Sequence, residues 1–141
     1  MTAAAICTIA SLDHLVLTVA SLPRTITFYQ RLGMRHEVFS PASAPDTQRH
    51  SLRFGPSKIN LHQKGSEFDP KATNVQTGSA DLCFVVEDDV RVVRERLQAA
   101  GLTILEGGEV VPRTGARGPI ESVYLYDPDG NLVELSNYKQ K

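Results

Sequence analysis

Apolar residues along the chain switch between two periods, and the switches mark its elements. Over residues 12–19, LDHLVLTV, the β-branched content and short length predict a strand. His14, Val16 and Thr18 share one face of it, and Asp13, Leu15, Leu17 and Val19 the other. Ser21 caps a helix, with Pro23 in the first turn, where a missing N–H costs nothing. Ile26, Phe28, Tyr29 and Leu32 form its apolar stripe, and Gly33 ends it. MRHEVF (34–39) reads as a strand, and SPASAPDT (40–47) as a polar loop. HSLRFG (50–55) and KINLHQ (58–63) predict a hairpin turning at Gly55-Pro56-Ser57.

Residues 64–79 have no period, and a loop of that length is either a linker or a functional lid. ADLCFVV (80–86) then predicts a strand, and VRVVRERLQAAG (90–101) a helix capped by Asp88 or Asp89. Val90, Val93, Leu97 and Ala100 form its inward stripe. TILEGG reads as a strand, VVPRTGARGPI (110–120) as a loop, and ESVYLYD with NLVELSNY as a hairpin around Pro128-Asp129-Gly130. The order strand–helix–strand–strand–strand is therefore written twice. DHLVLTV…RTITFYQRLG parallels ADLCFVV…RVVRERLQAAG, and FGPSKINLHQ parallels YDPDGNLVELSN. The expected fold class is α+β: two paired βαβββ modules, at about 9–63 and 79–138, within a single domain over 1–141.

Composition narrows the function. Fifteen basic and sixteen acidic side chains give a net charge of -1, against the clustered basic charge that nucleic-acid or membrane-surface binding needs. Cys7 and Cys83 form no CxxC pair, so neither a disulfide framework nor a cysteine zinc site is expected. MTAAAICTIASLDH lacks the basic flank of a secretory signal, and no stretch approaches ~20 apolar residues. A cytoplasmic protein acting on a small molecule is the expectation.

Chemistry-bearing side chains recur at equivalent places in the two modules. First strands offer His14 and Asp81; last strands offer Asn60 and His62 in one module and Glu134 in the other. If each module curls its sheet, these positions point into one concavity. A buried carboxylate within NLVELS is costly unless neutralised. One divalent metal ion answers that cost, and imidazole with carboxylate suits zinc, iron(II), manganese or nickel. An ungapped match of the modules sets His62 against Glu134, whereas matching INL to VEL sets Asn60 there. Asp81 is a further ligand or else a cap or ion-pair partner at its strand start. His36 and His50 have no partner pattern and read as surface or packing residues, and Cys83, in an apolar strand, as an inert thiol. In PRTGARGP (112–119), Arg113 and Arg117 are candidates to grip an anionic substrate group, with a solvated loop as the alternative.

LDHLVLTV, the helix ending FYQRLGM and the closing DPDGNLVELSNY resemble the vicinal oxygen chelate superfamily. That group includes glyoxalase I, extradiol ring-cleaving dioxygenases, fosfomycin-resistance transferases, methylmalonyl-CoA epimerase and bleomycin-resistance proteins. KINLHQKGSEFDPKA and VPRTGARGPIESVYLYDPDGN resemble one subgroup in it, the small glyoxalase domain-containing proteins 5. The resemblance implies a glyoxalase/dioxygenase-like cupped mixed sheet, a bound metal with His14 and Glu134 as ligands, and a homodimer. Asp81 stands where many relatives carry a second histidine, and Asn60 where glyoxalase I uses a glutamate, with His62 two residues on. The implied activity is a metal-dependent lyase or isomerase of the glyoxalase type, chelating two neighbouring substrate oxygens, with Glu134 or His62 as proton carrier. A ligand-sequestering protein of the bleomycin-resistance kind and an extradiol dioxygenase are the alternatives; in the latter, only His62 is available as the further histidine.

Overall fold

The duplicated pattern becomes two mixed four-stranded sheets in the computed structural model, which describes residues 4–139. The first module runs β1 (His14–Val19), α1 (Leu22–Arg31), β2 (Arg35–Phe39), β3 (Arg49–Phe54) and β4 (Ser57–Gln63). The second runs β5 (Asp81–Val85), α2 (Val90–Ala99), β6 (Val111–Gly115), β7 (Gly118–Tyr126) and β8 (Leu132–Tyr138). The strand orders are β1-β4-β3-β2 and β5-β8-β7-β6, so the modules repeat in topology as well as in sequence. In each, the first strand lies parallel to the last and forms a sheet edge, while the other pairings are antiparallel.

Local chemistry explains the helix starts. The Ser21 side chain accepts the Arg24 backbone N–H, and Asp89, rather than Asp88, accepts that of Arg91. Phe28 and Tyr29 are buried on α1, and Val90 and Leu97 on α2; Val93 is half-buried. Ala100, expected on the inward stripe, is instead the exposed C-cap residue.

One stretch departs from expectation. TILEGG is not a strand: Gly107 and Gly108, both at positive φ, turn the chain through a short 3₁₀ segment (Glu106–Gly108). The strand is β6, inside the expected loop, and it pairs with β7 around Ala116-Arg117. Pro112 cannot donate to a ladder, but β6 is an edge strand, where that is tolerated.

The core lies on the helix-bearing sides of both sheets. Leu17, Val19, Leu52, Ile59 and Leu61 of the first sheet join Val123, Leu125, Val133 and Leu135 of the second in one buried cluster with the helices. Phe54 and Phe84, on those same sides, meet edge to face at 5.3 Å across the modules. Tyr29 Oη donates to the buried Asp127 at 2.8 Å, tying α1 to the β7–β8 turn. Asp127 also accepts the backbone N–H groups of Asp129 and Asn131 and the Asn131 amide, so this DPDG turn is a structural clamp. The loop before β5 is seated on it: a Cβ at Gly78 would lie 2.3 Å from the Asp129 carbonyl oxygen. No helix among the described residues is long and apolar enough to cross a membrane.

Candidate metal and substrate site

Strand register assigns each candidate to a face. On the first sheet His14 pairs with Lys58, Val16 with Asn60 and Thr18 with His62, all on the side away from the core. On the second sheet Asp81 pairs with Leu132, Cys83 with Glu134 and Val85 with Ser136, again on the side away from the core. The two registers resolve the open alignment. Asn60 is the counterpart of Glu134, and His62 that of Ser136.

The second sheet gathers most of the chemistry. Glu134 is only 9% exposed. Its Oε2 accepts from Ser122 Oγ at 2.5 Å, and Ser136 Oγ lies 2.7 Å from that of Ser122. Ser122 thus donates to the carboxylate, and Ser136 Oγ also lies 3.4 Å from Glu134 Oε2 and 3.4 Å from Cys83 Sγ. Glu134 opens into a cleft of about 330 Å³ shared with Asp81, Glu106, Arg113 and Tyr124. Arg113 Nε donates to Tyr124 Oη at 3.1 Å, and its Nη2 lies 3.7 Å from Glu106. Burial and the neighbouring Glu134 hold the Tyr124 phenol above its ordinary value, with Arg113 opposing. The cleft therefore offers carboxylates, a guanidinium and a protonated phenol within one wall.

Arg117 does not share that cleft. It lies in the β6–β7 turn with its guanidinium 4.4 Å above the Tyr138 ring. Cys83 is exposed on the Glu134 face, not enclosed by apolar groups. Its thiol is nonetheless held protonated, by burial of its sulfur and by the charges of Glu134 and Asp81, against a hydrogen bond with Ser136.

On the first sheet, His14 Nδ1 donates to Asp13 Oδ1 at 2.7 Å, which turns the Nε2 edge of the ring away from Asp13. This carboxylate–imidazole arrangement is the support that metal-ligating histidines use. His62 is likewise 9% exposed, and its pKa is lowered by burial and then by Arg49, with Glu67 opposing. Thr18 and His62 border a second cleft, of about 650 Å³, closed by residues of the loop between β4 and β5. His36 and His50 pack against each other across β2 and β3, with Nε2 and Nδ1 2.9 Å apart.

The structure thus unites Asp81, Glu134 and Arg113 at one cleft, whereas His14 and His62 share a face of the other sheet but stand at opposite ends of the β1–β4 pair. Among the described residues no three His, Cys, Asp or Glu side chains of one chain are close enough to hold a metal ion. The expectation of one shared concavity fails within a single chain because the modules join through their helix-bearing sides. Ser122 and Tyr124 escaped the sequence reading, and Ser136 is legible in it only as a neighbour on the face of Glu134. The alternation of ESVYLYD opposite NLVELS was the available signal, since both hairpin strands must expose alternate residues to Glu134.

Comparison with known proteins adds four similarities. The pattern of the Glyoxalase/Bleomycin resistance protein/Dioxygenase superfamily matches residues 11–135. The chain is 50% identical over 131 residues to the Glyoxalase domain-containing protein RDO1 of Mycosarcoma maydis, covering 93% of this chain and 70% of that one. It is 32% identical over 137 residues to the Ethylmalonyl-CoA/methylmalonyl-CoA epimerase of Cereibacter sphaeroides, covering 90% and 97% respectively. The crystal structure of Virulence protein STM3117 from Salmonella typhimurium superposes with a TM-score of 0.87 at 45% identity, over 94% of this chain and 100% of that one.

Proposed function

Because the chain belongs to the Glyoxalase/Bleomycin resistance protein/Dioxygenase superfamily, we propose that it is a metal-dependent lyase or isomerase of the glyoxalase type, acting on a small oxygen-rich substrate. The observation that carries this reading is Glu134, a nearly buried carboxylate steadied by Ser122 and Ser136 and opening into a cleft with Asp81 and Arg113. The 32%-identical relative named as an epimerase supports an isomerase. The fungal relative's name supports a finer kinship with the small glyoxalase domain-containing proteins.

The donor chemistry suits a divalent ion. His14, Glu134 and Asp81 supply one imidazole and two carboxylates, a set that zinc, iron, nickel and manganese accept. When bound, such an ion supplies Lewis-acid polarisation of two neighbouring substrate oxygens. The protein's own groups do the rest. Arg113 orients the substrate's anionic end, and Tyr124 donates a hydrogen bond at the wall of the cleft. Glu134 or His62 takes and returns the proton, His62 being suited to it because its lowered pKa keeps it a neutral base near pH 7.

His14 and Glu134 lie on separate sheets that face away from the common core. In the proposed site, His14 of one copy therefore meets Asp81 and Glu134 of a second copy, which makes the homodimer the working unit. The test is elemental analysis of protein loaded with zinc, manganese, nickel or iron(II), followed by turnover of methylglyoxal–thiol adducts. Wild-type protein is expected to hold stoichiometric metal, and the His14→Ala/Glu134→Ala double variant none. A double variant that retains stoichiometric metal overturns the reading.

A further inference from the structure

The first sheet carries a polar cluster of which only His62 has a part in the proposed metal chemistry. Ser51 of β3 pairs with Asn60 of β4 on the face of His14, and the same register brings Arg49 beside His62. Ser51 is wholly buried, yet its Oγ has no hydrogen-bond partner among the described residues. The same holds for Arg49 Nε and Asn60 Oδ1. Three of the four such side-chain atoms among the described residues thus fall on one patch of two neighbouring strands. Buried polar atoms are ordinarily paired, so this concentration marks a place prepared for an external partner.

The patch has a roof. The Arg49 guanidinium carbon lies 4.0 Å from the centroid of Phe68, which the loop after β4 folds back over the sheet. Phe68 also meets the His62 ring edge to face at 5.3 Å. Stacking occupies the flat face of the guanidinium and leaves its N–H edge for an acceptor in the plane. Asn60 offers either end of its amide, because half a turn of its last torsion exchanges Oδ1 for Nδ2.

Charge selects the partner. Arg49 supplies the cation beneath this roof, while Arg53 is paired with Glu37 at 2.6 Å and the Lys58 ammonium rests over the Phe39 ring at 4.3 Å. The backbone around Glu67, the acidic neighbour of His62, holds its carboxyl below the ordinary value. One guanidinium edge, a hydroxyl, an amide and an imidazole match the two oxygens and single charge of a carboxylate. A phosphate dianion calls for a second cation turned toward the same point, whereas the Lys58 ammonium rests on the Phe39 ring.

We propose that Arg49, Ser51, Asn60 and His62 form a pocket for the carboxylate of a small organic anion, with Phe68 as its cover. Phe68 and Phe39 flank it with apolar surface, so an aryl carboxylate fits better than a bare one. The pocket requires no metal.

Calorimetric titration of chelator-treated protein with benzoate tests this, with inorganic phosphate as the comparison. Benzoate is expected to bind and phosphate not to. Arg49→Gln should weaken benzoate binding by about tenfold or more, since it removes the charge and the fork together. Ser51→Ala should weaken it severalfold while leaving the melting temperature of the free protein unchanged or raised, because the hydroxyl removed has no partner to lose. A purely structural serine would lose stability instead. Benzoate binding that is absent, or unaltered in both variants, overturns the pocket, as does phosphate binding equally well through Arg49. The His14→Ala/Glu134→Ala protein separates the two proposals. Benzoate binding retained there supports the pocket whatever becomes of the metal; binding lost there places the anion at the His14 and Glu134 side chains and ends the proposal.

Discussion

A carboxylate on a nearly buried strand position must have its charge engaged, and Glu134 meets that requirement through Ser122 and, behind it, Ser136. Both serines are wholly buried, so they are held by the sheet and fix the carboxylate in turn. Groups that orient a metal ligand in this way contribute strongly to affinity without touching the ion. The Ser122→Ala/Ser136→Ala protein should therefore remain folded and bind metal about 10- to 100-fold more weakly in a competitive chelator titration. Unchanged affinity would show that Glu134 needs no such support. At this scale the sequence was readable where a polar residue interrupts an apolar alternation, as at His14 and Glu134. It was not readable at Ser122, Ser51 or Arg49. Small or charged residues in a strand look like a solvent face, and only the hairpin partner or the returning Phe68 shows that they are covered.

The elements obey their local signals where alternation or capping is strong. Ser21 and Asp89 start the helices, and both long hairpins turn where Gly and Pro stand. The signal fails between residues 102 and 120, because a strand containing Pro112 and ending at Gly115 carries the marks of a loop. Its membership of the sheet depends on pairing with β7, which is a tertiary matter. A second tertiary contact joins β2 to β3: His36 and His50 stack with their planes 9° apart and share a hydrogen bond. Burial first, then the charge of His36, lowers the His50 pKa below its ordinary 6.5; His62 is lowered too, chiefly by burial. Below pH 6.5 the unfolded chain therefore takes up protons that the folded chain refuses, and stability falls as pH falls. The lowered carboxylates, Asp13, Glu37, Glu67 and Glu121, add to the loss only below their ordinary values of 3.8 to 4.5. Urea melts at pH 7.5 and about pH 5.5 should thus show a drop in stability, and His50→Gln should make that drop smaller. An identical drop in the variant would remove His50 from the account.

At the scale of the whole molecule, the arrangement of the two modules decides what the candidate residues can do. Their helix-bearing sides merge into one core, so the faces bearing His14 and Glu134 are left open. Each open face also exposes apolar surface on its free edge strand, Val16 at 46% on β1 and Val85 at 58% on β5. An unpaired edge with exposed valines is unfavourable for a lone chain and suits contact with a second copy. A two-fold dimer pairing the first module of one copy with the second module of the other builds two equivalent sites, each from both chains. This makes a prediction that a single-chain site cannot imitate. His14→Ala protein and Glu134→Ala protein should each be unable to bind metal alone. After the two are mixed and their subunits allowed to exchange, every hybrid dimer contains one site that has lost both ligands and one that is wholly intact. With random exchange, half the dimers are hybrids, so metal content should recover to about one quarter of the wild-type value. A site contained in one chain would give no recovery, because each chain in the mixture lacks one ligand of its own. Elemental analysis before and after mixing distinguishes the two arrangements, with wild-type protein carried through the same exchange to set the full value.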